Sequence, residues 1–155
     1  MTTTGYVFEN LVRRFSESYN EEAGAHFTSR DIIYLMCDLL VAGDESAFTE
    51  DGISKLVYDM TMGTSQMLTC MEERLKQLDA NADITVFGQE FNPFTFGIAK
   101  ADMLIRGGDP NNMQFGDTLS EDKFDGYKFD YVISNEAVIC GLIPEKARNI
   151  KEFAA

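Results

Sequence analysis

The stretch SKLVYDMTMGTSQMLTCMEERLKQLDANADITVFGQE, residues 54–90, decides the fold class. It begins and ends with apolar segments that finish on an acid, SKLVYD and DITVFGQE, which predict two short strands at 54–59 and 83–90. Between them an apolar stripe at helical spacing predicts an amphipathic helix. The stripe consists of Met67, Leu68, Met71, Leu75 and Leu78. A strand, a helix and a second strand in this order indicate a βαβ unit with parallel strands.

The alternation continues past the second strand. Asn92 followed by Pro93 predicts the start of a helix, and Gly107 predicts its end. NMQFGDTL at 112–119 and KFDYVIS at 128–134 predict a third and a fourth strand. We therefore expect a doubly wound α/β domain with a parallel sheet of four or five strands.

Upstream of these strands the sequence predicts two helices. The apolar stripe of the first consists of Val7, Phe8, Leu11, Val12 and Phe15. Thr28 followed by Asp31 resembles a capping box and predicts where the second helix begins. The second helix is expected to present one apolar face made of Ile32, Ile33, Leu35, Met36, Leu39 and Leu40.

The composition is that of a globular protein. Of the 155 residues, 45% are hydrophobic and 25% are charged, which disfavours disorder. No apolar run approaches the roughly 18–20 residues of a membrane helix, and the N-terminus lacks a signal-peptide pattern. Cys37, Cys70 and Cys140 lie in apolar surroundings and are expected to be buried thiols of a cytoplasmic protein. The single histidine, His26, leaves no cluster with zinc-binding spacing.

The formal net charge of −13 is the unusual feature of the composition. A surface this acidic repels phosphate, so the chain alone is expected to bind DNA poorly. Three explanations stand open at this point. Another chain supplies the basic surface, the acidity imitates DNA, or the acidity simply keeps the protein in solution.

Polar side chains lie at or near the four predicted strand ends. In open parallel sheets, ligands bind beyond the carboxyl ends of the strands, and here those ends carry Asp59, Glu90, Asp117 and Asn135. The turn after Asp59 contains Gly63, which lets the backbone approach a ligand closely. Glu90 is placed to accept hydrogen bonds from ribose hydroxyls, although it lies further along than the about 20 residues usual for dinucleotide sites. An equally good interpretation makes Asp59 and Glu90 helix caps or solvated strand-end acids.

Three segments of the chain carry a specific likeness. Residues 87–135, FGQEFNPFTFGIAKADMLIRGGDPNNMQFGDTLSEDKFDGYKFDYVISN, closely resemble the catalytic domain of type I restriction–modification modification subunits, the adenine-N6 DNA methyltransferases. AGAHFTSRDIIYLMCDLL, residues 23–40, resembles the family's GEHFTPRE segment. VYDMTMGTSQML, residues 57–68, is similar to its YDPACGTGGML cofactor loop. The resemblance is nearly continuous from Gly5 to Asn135 and implies a Rossmann-like fold that binds S-adenosylmethionine.

The resemblance implies a role for each matching residue of the cofactor site. Phe27 and Thr28 would contact the amino-acid end of S-adenosylmethionine. Asp59, Gly63 and Thr64 would form the loop beneath the cofactor.

Four further positions complete the site that the resemblance implies. Glu90 would accept the ribose hydroxyls, with Asn92 nearby, and Asp117 in the GDTL segment would hydrogen-bond the adenine amino group. Asn135 would be the catalytic residue, because it begins the position of the family's Asn-Pro-Pro-Phe/Tyr motif.

The cofactor loop departs from the family pattern at five positions. Met60, Thr61 and Met62 replace Pro-Ala-Cys, and Ser65 and Gln66 replace two glycines. The loss of two glycines narrows the choice of backbone conformations. We expect Ser65 and Gln66 to adopt the geometry of a helix N-terminus, and the binding of S-adenosylmethionine to be weakened or shifted.

The segment after Asn135 departs further. In the family the Asn oxygen and a proline carbonyl accept the hydrogens of the target amine, and the aromatic residue stacks on the flipped base. This chain has Glu136, Ala137 and Val138 instead. It therefore lacks an aromatic platform on which stacking contributes roughly 1–3 kcal/mol per base.

These observations predict one truncated methyltransferase-like domain over 1–155. Its parts are a helical lead-in at 1–50, a cofactor-binding core at 51–135 and a divergent tail at 136–155. The resemblance implies that DNA is a partner only within a larger complex that contains specificity and restriction subunits. Because an incomplete sheet exposes a strand edge or an apolar face, self-association is also expected.

Three functional interpretations remain at this stage. In the first, the chain binds S-adenosylmethionine and methylates adenine poorly or not at all alone. In the second, it is an acidic, non-enzymatic interaction protein or inhibitor of a DNA-acting complex, built on a methyltransferase scaffold. In the third, it keeps the fold and binds no ligand.

Overall fold

The computed structural model describes residues 28–44, 48 and 52–135. The predicted helix at 7–15, the residues His26, Phe27 and Cys140, and the tail at 136–155 lie outside these residues.

The described part of the chain forms a parallel sheet of four strands in the order β3-β2-β1-β4. The strands are β1 (Ser54–Asp59), β2 (Asp83–Glu90), β3 (Met113–Phe115) and β4 (Tyr131–Val132). The chain steps from β1 outward to β2 and β3 and then returns to the other side of β1 as β4. The strand order therefore reverses between β1 and β4, which is where ligands bind in sheets of this kind. The predicted α/β class with parallel strands is confirmed.

The described part of the chain contains three α-helices. They are α1 (Arg30–Val41), α2 (Gln66–Leu78) and α3 (Pro93–Arg106), and a 3₁₀ turn at Pro110–Asn112 precedes β3. Both ends of α3 lie where they were predicted. The side-chain oxygen of Asn92 accepts hydrogen bonds from the backbone N–H groups of Phe94 and Thr95, and Gly107 ends the helix with a φ of 79°. Among these helices none is long and apolar enough to cross a bilayer.

The core lies between the helices and one face of the sheet. The predicted stripe of α2 is confirmed, since Met67, Leu68, Met71 and Leu75 are buried and Leu78 packs against them. Val57 of β1, Val86 of β2 and Met103 of α3 belong to the same cluster. The thiols of Cys37 and Cys70 are buried there as predicted.

The predicted apolar face of α1 is wrong in part. The residues that α1 buries are Ile33, Cys37 and Val41. The apolar residues that it exposes are Ile32, Leu35, Leu39 and Leu40. Because α1 packs on α2 along one strip, burial selects positions four residues apart and leaves the other apolar residues outside. The capping box predicted from Thr28 and Asp31 is also wrong, because Ser29 is the N-cap residue and no side chain caps the helix.

The predicted strand at 128–134 is much shorter in the structure. Only Tyr131 and Val132 form β4. On its amino side, the Asp130 carboxylate accepts the backbone N–H of Leu56 at 2.8 Å. A side chain thus takes a place that a backbone carbonyl takes in a longer ladder, while the Asp130 N–H donates to the Leu56 carbonyl at 2.9 Å. The third strand is also shorter than its predicted segment at 112–119.

The β3–β4 loop, 116–130, covers the opposite face of the sheet in the described structure. Gln89 of β2 is completely buried and holds this loop with both ends of its amide. Its Nε2 donates to the carbonyl of Glu121 at 2.8 Å, and its Oε1 accepts from the N–H of Lys123 at 2.9 Å. The Tyr58 hydroxyl donates to Asp122 at 3.1 Å. Burial and then the Asp122 carboxylate raise the pKa of Tyr58.

Aromatic rings fill the space between this loop and the sheet. Tyr58 stacks on Phe129 with ring centroids 4.8 Å apart, and Phe124 meets Tyr58 edge-on at 5.2 Å. The cluster consists of Tyr58, Phe87, Phe124, Tyr127 and Phe129. The β3–β4 loop is therefore held by packing as well as by hydrogen bonds, and this fixes where its first residues emerge beside the strand ends.

Candidate functional site

The carboxyl ends of β1 and β2 form the centre of the candidate site. Asp59, the last residue of β1, is completely buried. Its Oδ1 accepts the backbone N–H of Thr61 at 2.9 Å and so turns the chain away from the strand. The interpretation of Asp59 as a solvated strand-end acid is therefore wrong, because the carboxylate shapes the turn from inside the protein.

Glu90, the last residue of β2, holds the cofactor-loop segment (residues 57–68) against the end of β2 through its side chain. One carboxylate oxygen accepts the backbone N–H of Gly63 at 2.8 Å, and the other accepts that of Asn92 at 2.7 Å. Gly63 has a φ of 54°, and a side-chain carbon added there would meet no atom within 4 Å. The space beside this glycine is open, and an acid that carries four acceptor lone pairs lies next to it.

Ser65 closes the same turn in an unexpected conformation. Its φ of 68° lies in the left-handed region, and α2 begins only at Gln66. The prediction that Ser65 adopts helical geometry is therefore wrong, whereas the prediction for Gln66 is confirmed. The Ser65 N–H donates to the carbonyl of Met62 at 2.8 Å, so the turn closes tightly around Gly63 and Thr64.

The loop after β3 reaches the loop after β1. The Thr118 hydroxyl donates to the carbonyl of Met60 at 2.6 Å. Beside it, Asp117 lies two residues past the end of β3 and its Oδ1 accepts the N–H of Leu119 at 3.0 Å. Asp117 is therefore held at the edge where Glu90 lies, and the carbonyl of Glu90 accepts the N–H of Gly116 at 3.0 Å.

The end of β4 brings the predicted catalytic residue beside a predicted cofactor residue. The Nδ2 atom of Asn135 donates to the hydroxyl of Thr28 at 2.6 Å. One residue earlier, the hydroxyls of Ser134 and Thr61 are 2.6 Å apart. The ends of β1 and β4, on both sides of the switch point, are thus joined directly through Thr61 and Ser134.

Most of the predicted site residues meet at this one edge of the sheet. Those in the described structure are Thr28, Asp59, Gly63, Thr64, Glu90, Asn92, Asp117 and Asn135. Phe27 lies outside it. The Asn92 side-chain oxygen is engaged in capping α3, which is a structural task that the sequence had indicated as well.

Sequence reasoning missed the small hydroxyl residues that join the loops. They are Thr61, Ser65, Thr118 and Ser134. A signal existed for two of them, because Thr61 and Ser65 stand where the family loop has alanine and glycine. Thr118 and Ser134 gave none, since their partners lie more than fifty positions away in the chain.

Comparison with known proteins shows that the chain is similar to methyltransferases. A family model described as N-6 DNA Methylase matches residues 2–138. The chain is 27% identical over 133 residues to the type I restriction enzyme HindI methylase subunit of Haemophilus influenzae, covering 84% of this chain and 28% of that protein. It is 25% identical to the type I restriction enzyme MjaIX methylase subunit of Methanocaldococcus jannaschii, covering 84% of this chain and 22% of that protein. The chain thus spans about a quarter of the length of these curated relatives.

A solved structure shares the fold. The type I restriction-modification system methyltransferase subunit from Streptococcus thermophilus superposes with a TM-score of 0.66 at 28% identity. The likeness covers 84% of this chain and 27% of that one. The predicted Rossmann-like methyltransferase fold is confirmed.

Proposed function

This chain belongs to the N-6 DNA methylase family, and we propose that it is the S-adenosylmethionine-binding core of a type I modification subunit. The observation that carries the proposal is the contact between Glu90 and Gly63. A carboxylate and an open glycine turn thus lie side by side at the carboxyl ends of β1 and β2. The carboxylate would accept the hydroxyl hydrogens of a ribose, and the open glycine turn would let a bulky nucleoside approach the backbone closely.

The residues present fit the cofactor that we propose. Glu90 keeps lone pairs for the ribose hydroxyls after it accepts two backbone N–H groups. Gly63 and Thr64 would lie beneath the cofactor, and Asp117 would accept from the adenine amino group. Phe27 and Thr28 would contact its amino-acid end. The cofactor, when bound, supplies an electrophilic methyl group.

The catalytic half of the proposal rests on Asn135. Its Nδ2 donates to Thr28, so its oxygen is the atom available to accept a hydrogen from a target amine. In sequence, Glu136, Ala137 and Val138 follow where the family has Pro-Pro and an aromatic residue. Without a stacking platform for a flipped base, we expect the chain alone to transfer methyl groups to adenine poorly or not at all.

The setting of this core is part of the proposal. A single methyltransferase-like domain over 1–155, with a lead-in at 1–50, a core at 51–135 and a tail at 136–155, would act in the cytoplasm within a larger complex. Specificity and restriction subunits would bring the DNA to it, because a net charge of −13 opposes direct binding.

A second candidate function follows from the same charge. An acidic methyltransferase scaffold that resembles DNA in charge would bind a DNA-acting protein and inhibit it without any chemistry. Immobilised chain should then retain such a protein at physiological salt. If no DNA-acting protein is retained, this second candidate fails.

Isothermal titration of the full chain with S-adenosylmethionine tests the first proposal. We expect micromolar binding that weakens about tenfold or more in Glu90→Gln and in Asp117→Ala, because each loses a charged hydrogen-bond acceptor worth roughly 1.5–3 kcal/mol. Asp83→Asn is the matched control, since Asp83 is an exposed acid at the opposite end of β2 from Glu90. Absence of heat at millimolar cofactor, or an equal loss in the Asp83 variant, would overturn the proposal.

A further inference from the structure

Ser65 is the one residue other than glycine that has a positive φ in the described structure. Left-handed geometry disfavours a residue that carries a side chain by roughly tenfold in population relative to glycine. Ser65 is nevertheless almost fully buried at the point where the loop enters α2. Something in the surrounding structure must hold it in this conformation.

Asp102 of α3 supplies that restraint. It is 7% exposed, and its Oδ2 accepts the hydroxyl of Ser65 at 3.3 Å. The hydroxyl of Thr69, one turn further along α2, donates to the same oxygen at 3.4 Å. Both distances are long for hydroxyl donors. Arg106 donates to the same oxygen at 2.7 Å. The Arg106 guanidinium pairs with this mostly buried Asp102 carboxylate and so offsets the cost of burying it beside Ser65.

The restraint reaches the ligand side of the loop through a tight turn. The Ser65 N–H is bonded to the Met62 carbonyl, and the N–H of Gly63, between them, is bonded to Glu90. The loop is therefore held at its middle by Glu90 and at its helix end by Asp102. A change of φ at Ser65 would displace the Gly63 N–H from the Glu90 carboxylate.

We propose that Asp102 is a positioning residue for the cofactor loop. Its hydrogen bond with Ser65 stabilises a left-handed backbone conformation that glycine would adopt without such a contact. The expected effect on the affinity for S-adenosylmethionine rests on the proposed function. The structural part of the inference, the coupling between Asp102 and the Gly63 amide, holds without any cofactor.

The test is a double-mutant cycle on the full chain with two readouts. In the first, amide hydrogen exchange at Gly63 is measured without cofactor. Asp102→Asn should speed this exchange at least fivefold, and the same substitution in a Ser65→Gly background should change it less than twofold, because glycine adopts the left-handed conformation unaided. Ser65→Ala keeps a side chain and loses the hydroxyl, so it should speed the exchange at Gly63 as Asp102→Asn does. If Asp102→Asn does not fold, Ser65→Ala takes its place in the test.

The second readout is titration with S-adenosylmethionine. Asp102→Asn should weaken binding about fivefold in the parent chain and less than twofold in the Ser65→Gly background. Thr69→Val is the matched control, because it removes the other hydroxyl from the same carboxylate oxygen and leaves Ser65 in place. A loss of fold stability alone would act equally in both backgrounds, so it cannot produce this difference.

Each outcome decides a separate point. Equal effects of Asp102→Asn in the two backgrounds, or no effect of Ser65→Ala on Gly63 exchange, would overturn the proposal. Exchange coupling without cofactor binding in the parent chain would leave the role of Asp102 in holding the loop intact and would refute the proposed function instead.

Discussion

Gly88 lies where the cofactor-loop segment packs closely against the sheet. It lies in β2 directly opposite Asp59 of β1. A side-chain carbon at Gly88 would come within 2.3 Å of the Met62 sulfur and 3.0 Å of a methyl carbon of Leu68. Met62 immediately precedes Gly63. The absence of a side chain at Gly88 therefore allows the loop to pack directly against the sheet.

Gly88→Ala should therefore destabilise the protein by about 1–3 kcal/mol, as overpacking of a core does. Gly97→Ala is the matched control, because Gly97 lies on the exposed side of α3 and an added carbon meets nothing within 4 Å. The control should raise the free energy of unfolding by roughly 0.5–1 kcal/mol, since alanine is the better helix former. Urea unfolding of the two variants measures both values, and a loss of the same size in both would contradict this account of Gly88.

Asp44 lies in a charged cluster at the other end of the sheet. It accepts a hydrogen bond from the hydroxyl of Tyr131 and pairs with Lys55 at 3.1 Å. Lys55 also approaches Asp130 at 3.6 Å and lies over the ring of Phe48. The hydrogen bond from Tyr131 and then that from Lys55 lower the pKa of Asp44.

A lowered carboxyl pKa gives stability that is present above the unfolded-state value near 4 and is lost as the pH falls through the folded-state value. Asp44→Asn should accordingly lower the free energy of unfolding at pH 7 and flatten its decline below about pH 4. Because Asp44 is partly exposed, we expect an effect of no more than about 1 kcal/mol. Urea unfolding at neutral and at acidic pH measures it, with Asp125→Asn in the exposed part of the β3–β4 loop as control. A decline with pH that is as steep in Asp44→Asn as in the parent chain would contradict the assignment.

Single residues of the site were predictable where one strand end sufficed to place them. Asp59 and Glu90 end predicted strands and Gly63 lies in the turn after the first of them, so local pattern sufficed to place them. The contact between Asn135 and Thr28 joins residues 107 positions apart, and no local pattern encodes it. The conformation of Ser65 was missed because a buried partner on another helix, Asp102, overrides the preference of serine for other backbone conformations.

Among the elements, α3 was predicted closely because its signals are local. Asn92 and Pro93 begin it, and Gly107 ends it through its own φ. The strand β4 and the buried side of α1 depended instead on what packs beside them. The Asp130 side chain takes one hydrogen bond of the ladder between β4 and β1, and α2 selects which apolar residues of α1 are buried. Tertiary contacts of this kind decide boundaries and faces that the sequence pattern leaves open.

The cap of α3 gives the prediction that belongs to this scale. Asn92→Ala should lower the free energy of unfolding by about 1 kcal/mol, because two N–H groups lose their acceptor. Asn92→Ser keeps a capping oxygen, so it should lower the free energy of unfolding by no more than about 0.3 kcal/mol. Thermal or urea unfolding decides between them. Should Ala and Ser cost the same, the Asn92 side chain stabilises the protein by some route other than the cap.

At the scale of the molecule, the described structure divides into two unlike faces. Helices and an aliphatic core cover one side of the sheet, and a loop fixed by Gln89 and an aromatic cluster covers the other. Both layers converge on the carboxyl ends of the strands, where Asp59, Glu90 and Asp117 lie. The fold class was predictable because alternating strands and helices allow few architectures. The layer formed by the β3–β4 loop was not, because its contacts depend on individual rings meeting across the sheet.

The charge of the whole chain leads to the last prediction. A net charge of −13 and acids at the edge of the candidate site oppose the approach of a phosphate backbone. The full chain should therefore bind a short fluorescent DNA duplex more weakly than the roughly 10⁻⁴ M limit of ordinary non-specific binding at physiological salt. Fluorescence anisotropy measures this, and a duplex that contains adenine should behave like one without it. Micromolar affinity that falls steeply as salt is raised would mean that the chain gathers a basic surface of its own, and the need for a separate DNA-reading subunit would then lose its physical basis.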